Sequence, residues 1–272
     1  MSTQHSHSAS FPVTAPPIGE NRFSPFLPTR SQPVPGLDYY GACRTAAGAA
    51  GDFFEFNPLD GGRLLVSIGE TLGSGVPALV MTAAVRAHFH GVAAGGVDAL
   101  AVAAARLNRT LCGAAAAGPL TMLFCAYIDP RRRVLRYLSA GHQSALVIRA
   151  VGWRTQFLET TGTVLGLSSR ATYRQRTVGL GPGDVLIAFS GGVADAVDGA
   201  GRELGEAGIV EAAWEHRHDA PRILVERVLE TVARHGDGAA QSTDQTVLAV
   251  RMAGSADGSI EDDTAGFAFA AA

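Results

Sequence analysis

Between residues 120 and 189 the sequence is a run of short apolar segments cut by turn-forming residues. Strand candidates fall at 120–128, 134–139, 144–149, 155–158, 172–178 and 184–189. Asp129-Pro130, Gly141-His142, Val151-Gly152 and Gly181-Pro182-Gly183-Asp184 separate them. Upstream, 37–44 and 63–68 read as strands, and 76–94 and 97–112 as Ala-rich helices with small residues suited to close packing. Downstream, 205–216 and 221–235 read as helices, and 246–252 as a closing strand. Strictly alternating βαβ units are missing, which argues against a doubly wound parallel sheet. The order predicts an α+β layered sandwich, in which antiparallel sheets pack face to face and helices cover the outside.

Composition supports a buried core: 47% of the 272 residues are hydrophobic and 17% charged. A formal charge of −3 gives no electrostatic reason to expect nucleic acid. All 22 basic residues are arginine. A phosphate loop ending in G-K-[ST] and a Schiff-base lysine are therefore excluded. Cys43, Cys112 and Cys125 are too scattered for a zinc site or a disulfide framework, so a reducing cytoplasm is expected. No signal peptide is evident. The uncharged stretch 110–128 contains Gly113, Gly118 and Pro119, and fits a helix end, a turn and a new strand better than a membrane span.

Residues 1–36 are rich in Ser, Pro and Thr and read as a flexible leader, with a short docking segment around 23–27. His5 and His7 read as part of a solvated tail rather than as ligands. Residues 253–272 lose periodicity and read as a disordered tail, leaving 37–252 as one domain. No upstream sensor domain is expected, so any signal would arrive through partners.

Three acidic, glycine-flanked segments stand out: A-G-D-F-F-E at 50–55, I-G-E-T-L-G-S-G-V-P-A at 68–78 and G-D-V-L-I-A-F-S-G-G-V-A-D-A at 183–196. Strand ends that converge on one edge of a sandwich are a common way to gather carboxylates around a hard divalent cation. Singly, each segment is an ordinary solvated turn.

Their order resembles the metal-dependent PPM-type (type 2C) serine/threonine phosphatases, in the SpoIIE/RsbU-like branch, over roughly residues 26–252. F-L-P at 26–28 and V-P-G-L-D-Y at 34–39 resemble the entry of that branch. A-G-D-F-F-E stands for G-G-D-F-Y-D, and the segment from Ile68 to Met81 for G-D-V-S-G-K-G-x-x-A-x-x-x-M. Further landmarks follow in order: L-T-M-L-F-C-A-Y-I-D-P at 120–130, L-S-A-G-H at 138–142, V-L-G-L at 164–167 and G-P-G-D-V-L at 181–186. S-G-G-V-A-D-A at 190–196 takes the place of T-D-G-V-x-E-A, and T-D-Q-T at 243–246 that of D-D-x-T. The resemblance implies a four-layer α-β-β-α sandwich of two antiparallel sheets. It also implies a binuclear Mg²⁺ or Mn²⁺ centre that activates water against a phosphoserine or phosphothreonine.

The departures bear on activity. The resemblance places the family's metal-bridging aspartate at Glu70 and the adjacent ligand carbonyl at Thr71. Its other two aspartates fall at Gly191 and Thr243, while Asp52 keeps the family residue, which positions metal-bound water. Glu70 adds a methylene, Gly191 has no side chain, and Thr243 offers only a neutral hydroxyl. Asp195 and Asp244 are possible substitutes. A one-residue step along a strand, however, turns Asp244 to the opposite face. The expectation is Mg²⁺ or Mn²⁺ binding that is weak and limited to one ion, with impaired or absent phosphatase activity.

Two function classes follow. One is an active or weakened metal phosphatase; the other is a non-catalytic relative that binds a phosphorylated regulatory protein. In the family's usual setting that partner resembles an anti-sigma-factor antagonist. A more distant alternative is a serine hydrolase in which Ala188-Phe189-Ser190-Gly191-Gly192 mimics a nucleophile elbow and His216, His218 or His235 supplies the base. His142 reads as a turn residue tying strands together. His88 and His90 read as surface or packing residues, and Val80, Val85 and Phe89 as core.

Overall fold

The computed structural model describes residues 33–46, 51–73, 75–95, 100–114, 118–142, 145–152, 154–237 and 241–254. The expected leader, apart from its last four residues, and the tail beyond 254 lie outside them, as do His5, His7 and segment 23–27. Two five-stranded antiparallel sheets pack face to face. The first has β1 (Leu37–Arg44), β10 (Gln245–Met252), β9 (Val185–Phe189), β6 (Ala145–Ile148) and β7 (Thr155–Leu158) in that order. The second has β2 (Asp52–Leu59), β3 (Arg63–Thr71), β4 (Thr121–Asp129), β5 (Val134–Ala140) and β8 (Arg176–Gly179).

Strand alternation sends side chains to two different cores. Leu64, Val66 and Ile68 of β3 meet Leu186, Ala188 and Leu248 in the core between the sheets. Leu65 points the other way, against Phe89 of α1 (Gly75–Gly95) and Leu107 of α2 (Leu100–Ala114). On the other flank, Ile187 and Phe189 pack under α4 (Gly205–Glu215) and α5 (Pro221–His235). Central strands buried on both faces therefore read as continuous apolar runs, and the layers are the four expected.

Several expectations shift in detail. The segment opened by Asp52 continues as a full strand to Leu59 in spite of Pro58, because β2 is a sheet edge, where a missing N–H is tolerated. β8 is shorter and later than 172–178. Residues 173 and 174 pair instead with 161 and 162, while the Tyr173 ring packs into the core under α1 and α2. Val85 and Phe89 are buried, but Val80 is 63% exposed and belongs to the outer side of α1. Among the described residues no helix is long and apolar enough to cross a membrane.

Turns fix the strand ends. The Asp184 carboxylate accepts the N–H groups of Gly181 and Ala150 and a 2.7 Å ion pair from Arg149, closing the glycine-rich turn before β9. That closure leads β9 to Ser190, at the edge where β2 and β3 bring their carboxylates.

Candidate functional site

The β2–β3 register sets Asp52 directly opposite Glu70. Directly opposed residues of an antiparallel pair share a face, so both carboxyl groups stand on the same side of the sheet. Glycine permits the close approach: a Cβ on Gly69 would meet the Phe53 ring at 2.5 Å, and one on Gly51 would meet the Thr71 carbonyl oxygen at 2.6 Å. That carbonyl, expected as a ligand, therefore lies hard against the chain at Gly51. The Thr71 side chain, one step along, faces away into a buried hydroxyl chain. Thr82 of α1 donates to Thr71 at 2.9 Å, and Thr71 meets Thr121 of β4 at 3.2 Å.

Glu70 reaches across the sandwich. Its Oε1 accepts the backbone N–H of Gly191 at 2.8 Å, and His142 Nε2 lies 3.6 Å from the same oxygen. Gly191 opens the short helix α3 (Gly191–Ala194). The added methylene of Glu70 thus supplies an acceptor to a position that has no side chain of its own. His142, read from sequence as a turn residue, is buried beside this carboxylate. Its place in the A-G-H segment was the only available signal.

Asp52 is buried and accepts a 2.6 Å hydrogen bond from Thr246 Oγ1. Burial, and then the charge of Glu70, push its carboxyl up to about 8. Glu70 is also raised, by burial first and then by Asp195 and Asp244, with the Gly191 N–H pulling the other way. Asp195 is exposed at the end of α3, near enough to act on Glu70 through its charge.

Thr243 and Asp244 lie before the start of β10, outside the strand on which the expected alternation depends. Thr243 is exposed, whereas Asp244 is buried. Asp244 is not turned away from Asp52, however. Its Oδ1 accepts the Ala46 N–H at 2.9 Å and its Oδ2 faces the Asp52 N–H at 3.4 Å, so it clamps the chain on which Asp52 sits. Ser190 is fully buried; its hydroxyl accepts from Thr246 N at 2.9 Å and donates to the Asp244 carbonyl at 3.4 Å. It ties β9 to β10 and presents nothing to solvent, which removes the ground for a serine nucleophile. His88 and His90 bond to the Ala103 carbonyl and to Asn57 respectively, on the flank of α1.

The family model described as Stage II sporulation protein E (SpoIIE) matches residues 60–253. Phosphoserine phosphatase RsbU of Bacillus subtilis is 25% identical over 178 residues, covering 65% of this chain and 52% of RsbU. Protein IcfG of Synechocystis is 27% identical over 128 residues, 47% of this chain and 20% of IcfG. The chain thus spans about half of one curated relative and a fifth of the other. Among solved structures, the SiaA PP2C domain of Pseudomonas aeruginosa superposes with a TM-score of 0.68 at 22% identity, over 78% of this chain and 85% of that one. PstP, solved in complex with two manganese ions, superposes with a TM-score of 0.60 at 15% identity, over 80% and 99%.

The residues present do not fit a two-metal centre. Such a centre needs several ionised carboxylates that converge with their oxygens free. Here one Glu70 oxygen holds a backbone donor, Asp52 holds a hydroxyl donor, and the Asp244 oxygens face backbone N–H groups. Among the described residues no group of three or more His, Cys, Asp or Glu side chains converges as a metal-holding set.

Proposed function

The chain belongs to the SpoIIE family of PP2C-type, RsbU-like phosphatase domains found in bacterial signalling, and we propose that it is a catalytically impaired member that works by binding a phosphorylated regulatory protein. One observation carries this reading: the carboxylate at the metal-bridging position bonds the backbone N–H of Gly191, where the family has an aspartate. That N–H takes up one oxygen of the carboxylate, leaving it less to give to a pair of cations. The scaffold around the site is otherwise well packed, which favours retention of a surface over loss of the protein. A partner resembling an anti-sigma-factor antagonist is in keeping with Rv1364c from Mycobacterium tuberculosis, a structural neighbour in which RsbU and RsbW domains occur in one protein.

The test has two arms on the full chain. Manganese titration by calorimetry and turnover of a phosphoserine peptide address catalysis; binding of an antagonist-like protein, with and without its phosphate, addresses recognition. The expected result is no pair of tight Mn²⁺ sites, no turnover, and binding that weakens when the phosphate is removed. Two tight sites with turnover would establish an active phosphatase with a rearranged centre instead.

A further inference from the structure

The end of the second sheet farthest from Glu70 carries a dense cluster of arginines. Arg131, Arg132 and Arg133 are consecutive and exposed in the turn between β4 and β5. Arg63 and Arg136 stand beside them on the outer face, around a cavity of about 380 Å³ that Tyr127 and Asp129 also line. Like charges at this spacing repel one another. The Arg132 guanidinium stands 3.9 Å from Asp129, whose carboxylate also accepts the Arg132 backbone N–H at 3.0 Å, while Arg63 lies over the Tyr127 ring at 5.4 Å and bonds the Asp60 carbonyl. The patch concentrates positive charge on a surface apart from the site and the core.

The chain itself leads to this surface. Ala253 bonds the Gly36 carbonyl at 3.0 Å, which pins the strand end, and Gly254 lines one concavity with Pro130 and Arg133. The sequence then reads S-A-D-G-S-I-E-D-D, with Asp257, Glu261, Asp262 and Asp263 and no basic residue after Arg251. Three residues span at most ~11 Å and nine residues ~32 Å when extended, so every one of these acids is within reach of a turn that adjoins Gly254.

We propose that the arginine turn between β4 and β5 is a docking surface for the chain's own acidic segment, residues 257–263. The attraction is between opposite charges at short tether length. It needs no apolar burial, and the tether supplies a high effective concentration. Any external acidic protein that used the same turn would do so in competition with this segment.

The absence of lysine makes the test clean. Arg132→Lys keeps the charge and introduces the only ε-amine in the chain. Zero-length carbodiimide coupling of the full-length variant, read by mass spectrometry, then reports which carboxylates touch position 132. Coupling to Asp257, Glu261, Asp262 or Asp263 within one chain is expected. It should fall at least tenfold in about 1 M salt, where screening acts within ~3 Å, and likewise on adding Asp257→Asn, Glu261→Gln, Asp262→Asn and Asp263→Asn. Coupling to Asp129 alone would overturn the proposal while showing that the turn is folded. Coupling found only between two chains would overturn it as well, by assigning the segment to a second copy.

Discussion

Glu70 accepts the N–H of Gly191 at 2.8 Å, across 121 residues of chain. The resemblance to the family pattern sets aspartates at both positions; against it, one side chain here is a methylene longer and the other is absent. The contact joins β3 of one sheet to the start of α3, which follows β9 of the other.

Reach and charge are separable by substitution. Glu70→Asp withdraws the acceptor and leaves the buried Gly191 N–H without it, at a cost of about 1–3 kcal/mol. Glu70→Gln keeps an oxygen in place and removes repulsion from Asp195 and Asp244, the charges that raise Glu70. It should lie within ~0.5 kcal/mol of the parent or be more stable. Urea unfolding of the three proteins decides. Equal loss in both variants would mean that charge, not reach, holds the contact.

Asp52 gives a pH dependence of definite sign. Its folded carboxyl is pushed up to about 8, by burial first and by Glu70 second, against ~3.9 in an unfolded chain. Between these values the folded state holds a proton that the unfolded state has lost. The stability this group contributes is therefore complete below about pH 4 and is lost as pH rises through about 8. Denaturation midpoints should fall across that window, and Asp52→Asn, which keeps an acceptor for Thr246, should flatten the fall. An unchanged slope in the variant would assign the effect to Glu70, whose carboxyl is shifted in the same direction.

The fold was legible wherever apolar alternation and turn residues agreed, as in 37–44, 184–189 and 246–252, each within a residue of the observed strand. Val80 escaped because α1 is apolar nearly all round, so its sequence does not say which side faces the sheet. Asp52 and Glu70 were legible as a pair through the strand-end motifs. What they touch was not: Gly191, His142 and Thr246 come from three other segments, and their meeting depends on how two sheets stack. Strand periodicity did not apply to Thr243 and Asp244, which precede β10, and it did not reveal that the chain at 46 and 52 bends over to meet the Asp244 carboxylate.

Gly192 tests that close stacking. A Cβ there would lie 2.1 Å from the Asp244 carbonyl oxygen and 2.6 Å from Thr243 Oγ1. The first neighbour is backbone and cannot rotate away. Gly192→Ala should cost about 1–3 kcal/mol or more as α3 is forced off the turn before β10. Gly199→Ala, where nothing lies within 4 Å of the added carbon, should stay within ~0.5 kcal/mol. Thermal unfolding of the pair provides the comparison, and equal stability of the two would contradict the packing described at α3.

Restoring the family carboxylates is the decisive experiment on catalysis. Glu70→Asp, Gly191→Asp and Thr243→Asp together shorten the side chain that now reaches Gly191 and return acids to the two positions that lack them. Single changes should do little: each leaves an incomplete ligand set, and Glu70→Asp alone also strands the Gly191 donor. The three effects should be strongly non-additive, as expected of residues that act as one unit. Without metal, the added aspartates stand near Asp52 and Asp195 and repel them, so the triple variant should be less stable than the parent. Mn²⁺ should return that stability in proportion to its binding, because an ion held only by the folded state shifts the equilibrium toward it. Calorimetric Mn²⁺ titration, unfolding with and without the ion, and hydrolysis of an aryl phosphate and a phosphoserine peptide give independent readings. A parent already as active as the triple variant would refute the impaired reading. A folded triple variant that binds two ions and hydrolyses nothing would show that the missing carboxylates are not what limits catalysis.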